Sequence, residues 1–178
     1  MLRRQGFSLI ELLVAVAVLS IVLAMAVPSL SQTRRSNEVK TVQSQLLNDL
    51  TRARGEAITR GNQVSLCASS DGLHCDGVWG GWLTFEGAVP ASTSAIAQPL
   101  SVVSIVGLAV SATATQVTFA GWGAADAAME ATLCDSDADP VTARAVQVSA
   151  LGRARSSVDA NADAVHESPT TGVALTCS

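Results

Sequence analysis

Two hydrophobic patterns follow one another in the first third of the chain. Residues 7–27 form a nearly unbroken apolar run of about 20 residues, which is enough to cross the hydrocarbon core of a membrane as a helix. Beyond Pro28, apolar residues recur at three- and four-residue spacing, which predicts an amphipathic helix that packs on an apolar surface; they are Val39, Val42, Leu46, Leu50, Ala53 and Ala57. Gly61-Asn62 is a helix-ending pair. We therefore predict one helix from about residue 8 to residue 60.

From residue 63 the pattern changes to short alternating runs separated by Gly, Ser, Asp and Pro, which is typical of β-strands. No helical period longer than two turns follows, although Ala124–Glu130 could form one turn. The predicted fold is α+β, with a long N-terminal helix packed on a C-terminal domain of two small antiparallel sheets. The expected strands are Val64–Ala68, Gly81–Glu86, Leu100–Val110, Gln116–Ala120, Ala131–Cys134 and Ala143–Ala150.

One carboxylate, Glu11, lies inside the apolar run. A charge costs roughly 3 kcal/mol or more at the centre of a membrane helix, so its presence there indicates a function. Arg3 and Arg4 precede the run, and the positive-inside rule then puts the short N-terminus in the cytoplasm and most of the chain beyond the membrane. A secretory signal peptide is the alternative. Its apolar region would be shorter, and its cleavage site would follow that region rather than precede it as Gly6 does.

The sequence Gly6-Phe7-Ser8-Leu9-Ile10-Glu11 resembles the class III signal of type IV pilins and type II secretion pseudopilins. The resemblance implies that a prepilin peptidase cleaves between Gly6 and Phe7 and that Phe7 is then N-methylated. It implies that Glu11 pairs with the new α-amino group of a neighbouring subunit, which would satisfy the intramembrane charge. Pro28 matches a helix-kinking proline of the same family.

The same resemblance implies a domain organisation and a location. Residues 1–6 would be the leader peptide, 7–28 the transmembrane and N-methylation segment, 29–61 the second half of the pilin helix, and 62–178 a β-rich GspH/FimT-like domain. The protein would start in the inner membrane with a periplasmic C-terminal domain, and would then assemble with other pilins or pseudopilins into a pilus or pseudopilus. The stretch Trp79–Phe85 also resembles this branch of minor pilins, and we expect its aromatic residues to lie in the core of a sheet.

Four cysteines remain beyond the membrane, where disulfides form. Four cysteines allow three pairings, and the sequence does not decide among them. We choose the nearest-neighbour pairing, Cys67–Cys75 and Cys134–Cys177, in which the second bond would tie the C-terminal tail to the domain.

Leu151-Gly152-Arg153-Ala154-Arg155 is the most informative stretch of the C-terminal region. Two arginines two residues apart on an extended segment share a face at about 6.5–7 Å, close to the phosphate spacing of one DNA strand. The stretch is similar to the GRxR signature of DNA-binding FimT-type minor pilins of natural transformation, which implies that Gly152, Arg153 and Arg155 contact DNA. The alternative is that the arginines pair with Asp159 or Asp163 in a purely structural tip or priming subunit.

Charge and composition restrict the remaining functions. Beyond residue 61 there are three basic residues against eleven acidic ones, which argues against broad polyanion binding but not against a small local patch. The aspartate-rich stretches 135–139 and 159–163 lack the glycine and glutamate of a calcium loop, and disulfide formation competes with zinc binding at His74 or His166. We therefore expect no metal and no cofactor. No catalytic arrangement of residues stands out, so we expect no enzyme.

Overall fold

The computed structural model describes residues 8–90, 95–96 and 98–177, without the side chains of residues 23–32. The first element is the helix α1, Leu9–Arg60, as the sequence predicts. Gly61 follows it with a φ of 68°, a left-handed conformation that glycine adopts without strain just after a helix. The chain divides into two compact units, residues 1–37 and residues 38–178, and each is described by itself below.

Eight strands follow the helix in the second unit. Their bounds are β1 Val64–Ala68, β2 Gly81–Glu86, β3 Ser101–Ser104, β4 Leu108–Ala112, β5 Gln116–Phe119, β6 Met129–Asp135, β7 Arg144–Val148 and β8 Ala154–Ser156. They form two four-stranded sheets with the orders β3-β2-β1-β5 and β4-β6-β7-β8. All of these neighbours pair antiparallel. The predicted α+β fold with two antiparallel sheets is confirmed.

Three details of the predicted secondary structure are wrong. The run Leu100–Val110 is two strands in different sheets, because the chain crosses from one sheet to the other around Gly107, whose φ is 75°. Ala124–Glu130 forms no helical turn, since Ala125 bridges to Phe119 and its amide donates to the Ala150 carbonyl. Strand β8 has no counterpart in the prediction, because three residues with two polar side chains carry no alternating apolar signal.

One buried cluster joins the helix to both sheets in the second unit. Its members come from α1, from the first sheet and from the second sheet, and include Val39, Leu46, Leu50, Leu66, Trp82, Phe119, Met129, Leu133 and Val146. The predicted burial of Trp82 and Phe85 in a sheet is confirmed, but Trp79 precedes β2 and is only half-buried. The Trp82 indole Nε1 donates to the Asp49 carboxylate at 2.7 Å. Every buried apolar side chain of the described residues lies between residues 39 and 175, so this unit has its own hydrophobic core.

Candidate functional site

The helix of the first unit presents apolar side chains on every face. From Leu9 to Val22 its large apolar side chains are 55–77% exposed, and Glu11 is exposed in the first turn. A helix that is apolar all round needs lipid or protein around it. The predicted cleavage site, Gly6-Phe7, lies outside the described residues, and Pro28 lies within α1 without a described side chain. Among the residues that the structure describes, no helix combines the length and apolarity that a membrane crossing requires.

Gly152 lies at a tight turn that presents the two arginines. Its amide donates to the Ser149 carbonyl at 2.8 Å, and the Ser149 amide donates to the Arg153 carbonyl at 3.0 Å. Its φ is 75°, and a Cβ atom at this position would lie 2.0 Å from the Gly123 carbonyl oxygen. No side chain fits at that distance, so the turn requires glycine for both its conformation and its contact.

Arg153 and Arg155 are both exposed, on either side of Ala154, which packs on the core. Alternation along an extended segment therefore directs both arginines away from the core. Arg155 lies opposite Gln147 on β7, and its Nη2 donates to the Gln147 Oε1 at 2.7 Å and to the Pro169 carbonyl at 3.5 Å.

Neither arginine forms the ion pair that the alternative interpretation requires. In the described part of the chain, no carboxylate oxygen lies within 4.0 Å of a guanidinium nitrogen of Arg153 or Arg155. The charge of Asp159 acts instead on the buried Arg144, where it opposes the lowering of the Arg144 pKa by burial. Asp159 and Asp163 thus leave the two exposed guanidinium groups without a close countercharge.

A third arginine, Arg54 of α1, joins this turn from a position about a hundred residues earlier. Its Nε donates to the Gly123 carbonyl at 2.9 Å, and it lies 3.1 Å from the place of a Cβ on Gly152. The sequence pattern places Arg54 only on the polar side of an amphipathic helix. No sequence signal connects it to Gly152, because the contact depends on how the helix packs against the turn.

One acidic residue, Glu130, lies near Arg155 in the same sheet. Arg155 of β8 pairs with Gln147 of β7, which in turn pairs with Glu130 of β6. Glu130 therefore lies on the same face of the sheet as Arg155, two strand spacings or about 9.5 Å away. The Glu130 carboxylate accepts hydrogen bonds from the hydroxyl groups of Ser168 and Thr170. Residues 38–178 contain seven basic and fourteen acidic residues, so the arginines form a small cationic area on an acidic unit.

A polar cluster, defined here as Gln43, Ser157 and His166, links α1 to the second sheet and the C-terminal tail. The Gln43 Nε2 donates to the Ala145 carbonyl at 3.0 Å and to the Ser157 Oγ at 3.3 Å, and this hydroxyl also accepts the Ala145 amide at 2.9 Å. With two donors already on its oxygen, Ser157 is placed to donate to the His166 Nδ1, which lies 3.2 Å away. Burial, followed by the charge of Arg144, lowers the pKa of His166 and favours that neutral acceptor form.

Two disulfides cross-link the second unit, Cys67–Cys75 and Cys134–Cys177. This is the pairing chosen from the sequence. The second bond joins β6 to the last residues of the chain, and Leu175 packs with Cys134 in a small buried cluster. The C-terminal tail is thereby held against the sheet that carries Arg155.

Carboxylate oxygens of Asp159, Asp163 and Glu167 lie within 4.8 Å of one another, in the part of the chain that the structure describes. Asp159 accepts the Ala164 amide at 3.0 Å, and Glu167 accepts the Ala160 amide at 2.8 Å. These bonds hold the loop that follows β8. The carboxylates thus have a structural role in that loop. The expected absence of a metal stays a prediction.

The chain combines a long N-terminal helix with a disulfide-bonded second unit. A family model described as type II transport protein GspH matches residues 43–152, and one described as the prokaryotic N-terminal methylation motif matches residues 1–27. The chain belongs to the GspH family, as a minor pilin or pseudopilin. The GspH match ends at Gly152, so family membership alone says nothing about Arg153 and Arg155.

Solved structures of one type IV minor pilin show the same fold at low sequence identity. The type IV minor pilin FimU of Pseudomonas aeruginosa strain PAO1 is 21% identical, with a TM-score of 0.53 over 67% of this chain and 87% of FimU. The minor pseudopilin EpsH from the type 2 secretion system of Vibrio cholerae is 15% identical, with a TM-score of 0.48 over 67% of this chain and 95% of EpsH. No curated protein sequence matches the chain.

Proposed function

We propose that this minor pilin or pseudopilin assembles into a type IV pilus or a type II secretion pseudopilus and binds DNA through Arg153 and Arg155. One observation carries the DNA-binding part: both guanidinium groups are exposed on the face away from the core, without a carboxylate partner among the described residues. Two residues of strand rise separate the Cα atoms of Arg153 and Arg155 by about 6.5–7 Å, which is close to the spacing of successive phosphates of one strand. Assembly and binding, rather than catalysis, are the proposed tasks.

Assembly would follow from the N-terminal segment. In this proposal a prepilin peptidase removes residues 1–6, Phe7 becomes the methylated N-terminus, and Glu11 pairs with the amine of a neighbouring subunit. Residues 7–28 anchor the chain in the inner membrane before assembly, residues 29–61 continue the pilin helix, and residues 62–178 form the periplasmic domain. The methylation-motif match over residues 1–27 and the exposed apolar side chains from Leu9 to Val22 support this proposal.

The DNA-binding part is tested with the full chain in a nonionic detergent and a fluorescent duplex of mixed sequence. We expect Arg153→Gln/Arg155→Gln to weaken binding about equally on every sequence, because phosphate contacts carry no sequence information. A double variant of two exposed helix residues, Lys40→Gln/Arg52→Gln, removes the same charge elsewhere in the second unit and is the matched control. An equal loss of DNA affinity in both double variants would show that only the net charge matters, and would contradict a site at Arg153 and Arg155.

A purely structural tip or priming subunit is the second candidate. The bonds from Arg155 to Gln147 and to the Pro169 carbonyl favour it, because they give this arginine a role in holding the C-terminal tail. That role predicts that Arg155→Gln lowers the melting temperature of the protein while Arg153→Gln does not. DNA binding predicts that both single variants lower the affinity for DNA.

A further inference from the structure

Trp122 differs from the other two tryptophans of the chain. It follows β5 and is 80% exposed, whereas Trp82 is fully buried and Trp79 is half-buried. Two further exposed apolar residues lie at the same backbone junction: Leu151, 73% exposed, directly precedes Gly152, and Ile58 of α1, 50% exposed, has its side chain next to Gly123. We call Trp122, Leu151 and Ile58 the Trp122 patch. One exposed apolar residue needs no explanation, but three around a single backbone junction indicate a binding surface.

The Trp122 patch adjoins Arg54 and the Gly152 turn. The Gly123 carbonyl oxygen touches Gly152 and accepts the hydrogen bond of Arg54. Trp122 and Arg153 each lie one residue from this contact, so their Cα atoms are at most about 14 Å apart. One junction of the fold thus brings an exposed tryptophan close to arginines from two different elements.

An exposed aromatic ring beside arginines is the combination that binds single-stranded nucleic acid, since arginines hold the phosphates while a base stacks on the ring. A duplex cannot use the ring in this way, because its base faces are covered by their neighbours. A duplex is also wider, and more of its phosphates would approach acidic residues such as Glu130. A single strand fits within the small cationic area.

We propose that Trp122 stacks an unpaired base, and that this site therefore binds single-stranded DNA in preference to duplex DNA. The proposal rests on the DNA-binding function proposed above and adds its substrate class. It assigns Trp122 a role distinct from that of Arg153 and Arg155, because stacking depends on the ring while phosphate contact depends on charge.

The test compares a 20-nucleotide single strand with its duplex, using the full chain in nonionic detergent at low salt. Wild-type protein should bind the single strand more tightly. Trp122→Ala should lower affinity for the single strand about 5- to 150-fold and for the duplex less than about 2-fold, because the stacking of one base is removed. Trp122→Phe should retain most of the affinity for the single strand. Val106→Ala, at an exposed apolar residue outside the site, should change neither affinity.

The outcomes separate this proposal from the proposed function. If Arg153→Gln/Arg155→Gln weakens binding while Trp122→Ala changes both DNA forms equally or neither, the stacking role is overturned and DNA binding stands. If the wild-type chain binds neither DNA form, both are overturned. If Trp122→Ala weakens association with other pilin subunits and leaves affinity for the single strand unchanged, the Trp122 patch is a protein interface and the stacking role is overturned.

Discussion

Gly152→Ala tests whether the turn that presents Arg153 and Arg155 requires glycine for the stability of the fold. Alanine at a φ of 75° costs roughly 1–2 kcal/mol, because its Cβ is crowded in the left-handed region. Its Cβ would also lie 2.0 Å from the Gly123 carbonyl oxygen, so the two backbone segments must separate. The same Cβ would lie 3.1 Å from the Arg54 Nε, so we expect the bond from Arg54 to Gly123 to be lost as well. A hydrogen bond to a charged group contributes about 1.5–3 kcal/mol. The expected total loss is about 2.5–5 kcal/mol.

Gly172→Ala is the matched control for this prediction. Gly172 has a φ of 71° with nothing within 4 Å of a Cβ, so only the conformational cost of roughly 1–2 kcal/mol applies. Urea unfolding of residues 38–178 with intact disulfides gives the free energy of unfolding of each variant. Equal losses in the two variants would refute the claim that the close approach of Gly123 to Gly152 requires glycine.

Three further predictions concern assembly, pH and the disulfide. Glu11→Ala should reduce co-purification with pilus or pseudopilus fractions while membrane insertion persists, and normal co-purification would contradict the pairing role. The pKa of His166 is lowered from its ordinary value of 6.5, so the unfolded chain binds more protons and stability should fall as pH drops from 7 through the folded-state pKa. His166→Asn should weaken the pH dependence of the free energy of unfolding. An unchanged pH dependence would contradict the role of His166 in it. Replacing Cys134 and Cys177 with serine opens a loop of 43 residues and should cost about 4 kcal/mol, measured by urea unfolding; a loss below about 1 kcal/mol would refute the constraint on the tail.

The elements that depend on local pattern could be predicted from the sequence. The helix follows from one apolar run and one amphipathic period, and its end follows from Gly61. Strands β1 and β2 match their predicted bounds because they are bordered by turn residues. The crossing near Gly107 could not be predicted from the apolar run, since strand propensity does not indicate which sheet a strand joins.

The candidate site could be predicted only in part. Arg153 and Arg155 are neighbours in sequence, so their spacing is visible in the chain. Arg54 and Trp122 join them only because the Gly123 and Gly152 backbones meet, and this contact involves segments about 30 to 100 residues apart. Gln43 is a similar case, because a residue on the expected polar side of the helix is buried by its bonds to the second sheet.

The salt dependence of duplex binding tests the central claim most directly. Two or three arginines on phosphates predict a slope of about −2 to −3 in a plot of log K against log salt concentration, because each neutralised phosphate adds about −0.9. Arg153→Gln/Arg155→Gln should reduce the magnitude of that slope by about two, since each of these arginines neutralises one phosphate in the wild-type complex. A slope that is the same in the double variant and the wild-type chain would contradict DNA binding at these arginines.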